Sequence, residues 1–184
     1  MSMAWKKKSS KEVYTNKYFR ITEDEVTTDA GHDLTWYVVR SGPFAMIVPW
    51  DGEKFALVGQ YRYGAQSASW EFPAGYVEGM TPEEAAKKEL QEETGLSAKS
   101  IVKIGKGYTS IGRSDQYFQL FLATQLKQGK QHLEPAEEGM KVKRVTYSDL
   151  MRMINDGEVI DAPTISAVGF LHASGWFKEQ GLYE

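Results

Sequence analysis

Residues 75–96, GYVEGMTPEEAAKKELQEETGL, place Glu89, Glu92 and Glu93 three and four positions apart. On a helix, residues at those separations are surface neighbours, so the three carboxylates converge on one face. Converging acids repel one another unless a cation lies between them. Oxygen-only ligands suit a hard ion such as Mg²⁺ or Mn²⁺, which binds together with waters and substrate phosphates. The stretch therefore points to metal-dependent chemistry on a phosphorylated substrate. The competing explanation is a plain solvated helix, because Glu83 with Lys87, Glu84 with Lys88 and Lys88 with Glu92 are opposite-charge i,i+4 pairs.

The helix that must carry these acids is well marked. Thr81 is an N-cap, Pro82 takes the first helical position, and Glu84 completes a capping box. Ala85, Ala86 and Leu90 give a narrow apolar stripe, and Gly95 ends the helix. Upstream, residues 12–41 read as strands: 13–16 and 18–28 are rich in β-branched and aromatic residues, Asp29-Ala30-Gly31-His32 makes a turn, and 34–40 return with Trp36 and Val38 alternating against Tyr37 and Val39. Ser41-Gly42-Pro43 breaks the chain, dividing an N-terminal strand segment, 1–41, from a main domain, 42–184. Residues 44–50 and 54–62 are expected to pair across the Asp51-Gly52 turn. Residues 101–108, 116–125 and 141–146 read as strands, and 148–155 and 163–176 as helices. Strands and helices alternate without a βαβ rhythm, which makes the class α+β (mixed α/β).

Composition narrows the function. A chain of 184 residues is long enough for one domain with a proper core. Its net charge of −3 speaks against a nucleic-acid surface. The dense basic cluster Lys6, Lys7, Lys8 and Lys11 reads as a solvated, flexible N-terminus, and Lys141, Lys143 and Arg144 as decoration of a strand. With no cysteine there is no disulfide framework and no thiolate metal site. No run is long enough to span a bilayer and the charged start lacks an apolar signal core, so no membrane partner is expected and cytoplasm is the default location. His32, His132 and His172 show no ligand spacing.

The string from residue 74 to Leu96 resembles the Nudix box, G-x5-E-x7-R-E-U-x-E-E-x-G-U with U a bulky aliphatic residue. Glu89, Leu90, Glu92, Glu93, Gly95 and Leu96 match it. Lys88 stands where the family has Arg, Met80 where it has the first Glu, and Ala74 where it has the first Gly, with Gly75 one place late. The likeness continues through Gln60-Tyr61-Arg62, the Trp-Glu-Phe-Pro-Ala-Gly run and a terminal helix, the layout of the branch acting on ADP-ribose and nucleotide sugars. The resemblance implies an α-β-α Nudix sandwich with an N-terminal antiparallel strand segment that crosses to a second subunit, giving a homodimer. It also implies hydrolysis of the pyrophosphate bond of nucleoside diphosphate sugars such as ADP-ribose or GDP-mannose.

Roles follow residue by residue. Glu89, Glu92 and Glu93 are the expected metal ligands, and the resemblance adds the backbone carbonyl of Ala74. Glu92 has the rival role of a water-mediated ligand or proton acceptor. The resemblance puts the general base in an acidic loop, where Glu138 is preferred slightly over Glu137. Arg62 matches the family's phosphate-contacting arginine, and its fork suits a diphosphate, with a surface ion pair as the alternative. Glu71 is placed to contact a sugar hydroxyl or a second metal. Trp36, Tyr37 and Trp70 offer faces for a base, or belong to the core or a dimer interface. Ser110-Ile111-Gly112 occupies the place where ADP-ribose members often carry Ser-Pro-Gly, which leaves room for GDP-mannose and other nucleotide sugars. Two further readings stand beside this one: a triphosphate or dinucleotide polyphosphate pyrophosphatase, opposed by the long N-terminal segment, and a Nudix-fold regulatory binder without turnover, motivated by Met80 and Lys88.

Overall fold

The computed structural model describes residues 4–183. The chain divides into two compact units: the residues up to Pro43 together with Tyr108–Tyr117, and Phe44–Gly107 together with Phe118 onward.

The first unit is an antiparallel meander, β1 (Lys6–Thr15), β2 (Phe19–Thr27) and β3 (Asp33–Ser41), in that order. Asn16 makes the first turn, its side-chain oxygen accepting the backbone N–H groups of Tyr18 and Phe19 at 2.8 and 2.9 Å. Gly31, at φ +86°, supplies the left-handed residue of the second. The basic stretch is thus not a loose terminus. Lys6 through Thr15 pair with β2, and the lysines ride on a strand whose every residue is exposed. Their charge concealed the strand because β1 buries no face and shows no apolar alternation. Arg40 anchors the unit, donating to Asp24 at 2.6 Å and to Thr22 at 3.2 Å, and Asp24 is buried. The excursion between Tyr108 and Tyr117 is stitched to β3: Val39 N–H donates to the Arg113 carbonyl at 2.8 Å and Ser41 N–H to Asp115 at 3.1 Å.

The second unit holds two sheets. One runs β7 (Ala74–Tyr76), β4 (Phe44–Pro49), β9 (Tyr117–Gln128), β8 (Leu96–Tyr108); the other runs β10 (Lys141–Val145), β5 (Phe55–Arg62), β6 (Ser67–Glu71). Its helices are α1 (Pro82–Thr94), α2 (Tyr147–Asn155), α3 (Ala162–Ala173) and α4 (Trp176–Glu179). Alternation along β4 shows the layering. Ala45 and Ile47 pack in one apolar cluster with Ala85, Ala86 and Leu90 of α1. Met46 and Val48 pack in another with Leu150, Met153, Leu171 and Phe177 of α2, α3 and α4. The sheets therefore lie between α1 and the C-terminal helices, an α-β-α sandwich of mixed class.

Three local expectations change. The Asp51 turn forms, with Asp51 accepting from the N–H groups of Glu53 and Lys54, but β4 and β5 meet only at a Trp50–Phe55 bridge and then enter different sheets. β4 instead fills its edges with β7 and, in parallel, β9, which is why it reads as an unbroken apolar run. The C-terminal helix expected over 163–176 is two helices, parted by Gly175 at φ +77°. The short strands β6 and β7, either side of Phe72-Pro73, carried no readable strand pattern.

Candidate active site

α1 forms where its capping signals place it. Thr81 Oγ accepts from Glu84 N–H, and the Glu84 carboxylate accepts from Thr81 N–H at 2.8 Å, so Glu84 caps the helix instead of pairing with Lys88. Gly95 closes the helix in the left-handed region at φ +72°, and a Cβ there would lie 2.9 Å from backbone atoms of Gly129, Lys130 and Gln131. That close approach matters. Gly129 N–H donates to the Gly95 carbonyl at 2.7 Å, Gln131 Nε2 to the Glu93 carbonyl at 2.6 Å, and His132 N–H to the Glu92 carbonyl at 2.9 Å. The segment after β9 thereby satisfies the free carbonyls at the end of α1, and then carries the short 3₁₀ turn Pro135–Glu137.

The result is a carboxylate cluster. Oxygen atoms of Glu89, Glu93 and Glu137 all lie within 4.8 Å of one another. Glu93 and Glu89 are buried at 2% and 8% exposure. Ala74 N–H donates to Glu93 at 3.1 Å, tying the start of β7 to the cluster. A Cβ on Gly75 would fall 2.2 Å from the Glu89 carboxylate, so the glycine makes room for that acid. Burial, followed by the charges of Glu89 and Glu137, pushes the Glu93 carboxyl up to about 9. Burial likewise raises Glu89, against the opposing charge of Lys88. Glu89 and Glu93 thus share a space that favours protons in the absence of a cation. The donor set, carboxylate oxygen only, fits a hard divalent metal.

The other expected residues divide. Glu92 points to Lys88 Nζ at 2.6 Å and is outside the cluster. Glu138 is exposed at the end of the 3₁₀ turn, also outside the cluster, whereas Glu137 is in it and its carboxylate also accepts from Glu134 N–H at 3.0 Å. Arg62 lies on the β5–β6 pair and grips the buried Glu71, its Nε 3.0 and 3.1 Å from the two carboxylate oxygens and its Nη2 closing the fork. That hydrogen bonding, opposed by desolvation, raises the Arg62 guanidinium, and Asp161 and Glu93 add to the same field. Trp36 and Tyr37 belong to the first unit, where Arg113 lies over the Trp36 ring at 4.6 Å and Tyr37 donates to Glu23 at 2.6 Å. Trp70 is half-buried under Lys143, whose ammonium lies 4.2 Å from the ring. Ser110-Ile111-Gly112 makes its turn without proline, the Ser110 carbonyl accepting from Arg113 and Ser114 N–H groups. Gln131 and His132 were missed from sequence; their contribution is a long-range backbone contact that no local pattern announces.

Comparison with known proteins gives the family. Residues 41–168 match the NUDIX domain family, and residues 5–39 match the nucleoside diphosphate sugar hydrolase N-terminal domain. The chain thus belongs to the Nudix family of pyrophosphohydrolases and carries the N-terminal domain of its nucleoside diphosphate sugar hydrolases. It is 32% identical to the ADP-ribose pyrophosphatase of Bacillus subtilis (strain 168) over 89% of this chain and 90% of that one. It is 30% identical to the ADP-ribose pyrophosphatase of Mycobacterium tuberculosis over 90% of this chain and 82% of that one. A crystal structure of an ADP compounds hydrolase superposes with a TM-score of 0.84 over 96% of both chains at 22% identity, a likeness of fold.

Proposed function

We propose that this chain hydrolyses the pyrophosphate bond of nucleoside diphosphate sugars, ADP-ribose or GDP-mannose among them, to a nucleoside monophosphate and a sugar phosphate. The observation that carries the reading is the convergence of Glu89, Glu93 and Glu137 beside Ala74 at the start of β7. Glu89 and Glu93 would hold Mg²⁺ or Mn²⁺, with the Ala74 carbonyl as the further ligand that the family resemblance suggests. When bound, the cation supplies positive charge to the phosphate oxygens and orientation for an in-line attack by water. Glu137, as general base, takes the proton from that water. Its loop is fastened to the end of α1 and so holds the base at a fixed distance from the acids. Glu92 serves as a water-mediated ligand or second proton acceptor. Arg62 offers a charge to the diphosphate while Glu71 keeps its fork in place.

The N-terminal unit, residues 1–41 as read from sequence, is assigned to homodimer formation, and the cytoplasm is the expected location. Among the described residues no helix is long and apolar enough to cross a membrane. The regulatory reading loses ground because Met80 packs against the apolar cluster around Leu90, so the departure from the box is absorbed without disturbing Glu89 and Glu93.

Incubation with Mg²⁺ and a panel of ADP-ribose, GDP-mannose, other nucleotide sugars, ATP and dinucleotide polyphosphates tests the function, with products identified by mass. Preferential release of a nucleoside monophosphate with a sugar phosphate is expected. Turnover confined to ATP or dinucleotide polyphosphates would overturn the substrate class, and binding without turnover would restore the regulatory reading.

A further inference from the structure

The box of this chain replaces an arginine by Lys88, and the structure places that lysine beside two carboxylates of α1, one of them in the acid cluster. Its neighbour Lys87 makes the ordinary surface pair, 2.7 Å from Glu83, with both side chains about half exposed. Lys88 turns the other way. Its ammonium lies 2.6 Å from Glu92 and 3.4 Å from Glu89, and Glu89 belongs to the carboxylate cluster. The acid that the box would place near the start of the helix is here Met80, packed among apolar side chains. Glu92 and Glu89, two of the three carboxylates on this face of α1, are therefore the partners of Lys88. An ammonium is a compact point charge and cannot grip one carboxylate bidentately as a guanidinium does, so it is shared between the two.

We propose that Lys88 is a positioning residue that acts as a tethered counter-charge, holding Glu92 off the cluster and competing with the divalent cation for Glu92 and Glu89. This rests on the reading of Glu89 and Glu93 as metal ligands. Cation entry must then displace a bound positive charge, which weakens metal binding in the resting protein and ties it to release of Glu92 from Lys88.

Mn²⁺ binding to the substrate-free protein, followed through the electron paramagnetic resonance of the free ion, tests the idea without turnover. For Lys88→Met we expect tightening by about tenfold, the scale of one unit charge removed at close range in a partly exposed site. Lys88→Arg keeps the charge and is expected to stay near wild type. Glu92→Gln supplies the double-mutant cycle: in its background, Lys88→Met should gain clearly less. Glu93→Gln tests the metal site itself and should abolish high-affinity binding. If Glu93→Gln abolishes binding while Lys88→Met leaves the Mn²⁺ affinity unchanged, the metal reading survives and the counter-charge proposal falls. Equal tightening with and without Glu92 also overturns it, because Lys88 would then act as a diffuse surface charge. Absence of Mn²⁺ binding in the wild-type protein would remove both. Thermal melts of each variant, taken in parallel, separate these outcomes from loss of fold.

Discussion

At the scale of single residues, the chemistry depends on charge held where water is scarce. Glu93 is the clearest case. Its carboxyl is raised from an ordinary value of 4.5 to about 9 by burial and by its acidic neighbours. The folded, metal-free state therefore binds the proton more tightly than the unfolded chain does. That contribution to stability is fully present below about pH 4.5 and is lost as the pH rises through 9. We expect the melting temperature of metal-free protein to fall between pH 6 and pH 9, and Glu93→Gln to flatten the decline. A saturating divalent ion should restore most stability at the alkaline end. A metal-free profile identical in wild type and Glu93→Gln would contradict this. Glu137 gives the second residue-scale test. Glu137→Gln should lower kcat by about 10²–10⁴, the usual range for a positioned general base, while Glu138→Gln, outside the cluster, loses less. A larger loss at Glu138 would reassign the base.

At the scale of elements, legibility followed locality. The capping box at Thr81, the apolar stripe of α1 and the Gly95 stop were readable because each is written within a few neighbouring residues. The basic first part of β1, residues 6–12, was not, because pairing with β2 supplies its structure while its side chains stay exposed. Nor were β6 and β7, whose Trp-Glu-Phe-Pro-Ala-Gly sequence is held by partners far along the chain. Phe72 N–H donates to Thr164 Oγ1 at 3.0 Å, and the same hydroxyl donates to Asp161 at 2.7 Å. Thr164 is fully buried and caps this contact from the first turn of α3. Thr164→Val keeps the shape but leaves the Phe72 N–H without its acceptor. We expect a loss of about 1–3 kcal/mol in urea unfolding, the cost of an unsatisfied buried polar group. Thr164→Ser should recover most of it, and an undiminished midpoint in Thr164→Val would show that the contact carries no stability. The candidate site was legible in part: spacing drew Glu89 and Glu93 together but counted Glu92 with them, which instead meets Lys88, and the approach of Glu137 rather than Glu138 depended on Gln131 and His132 reaching the end of the helix.

At the scale of the whole molecule, one family model matches residues 5–39 and another residues 41–168, and Tyr108–Tyr117, inside the second match, belongs to the first compact unit. The N-terminal sheet leaves β1 at its edge with Val13 and Tyr14 exposed. Sedimentation velocity at micromolar concentration should give a dimer, and a chain lacking residues 1–41 a smaller species. A full-length protein that sediments strictly as a monomer would end the dimer proposal while leaving the acid cluster untouched. Enzymatic turnover bears most directly on the central claim. ADP-ribose or GDP-mannose should be hydrolysed by the wild-type protein with Mg²⁺, and Glu93→Gln should reduce kcat by about 10²–10³ with its fold preserved. Wild-type rates in folded Glu93→Gln would contradict the site, whatever the substrate.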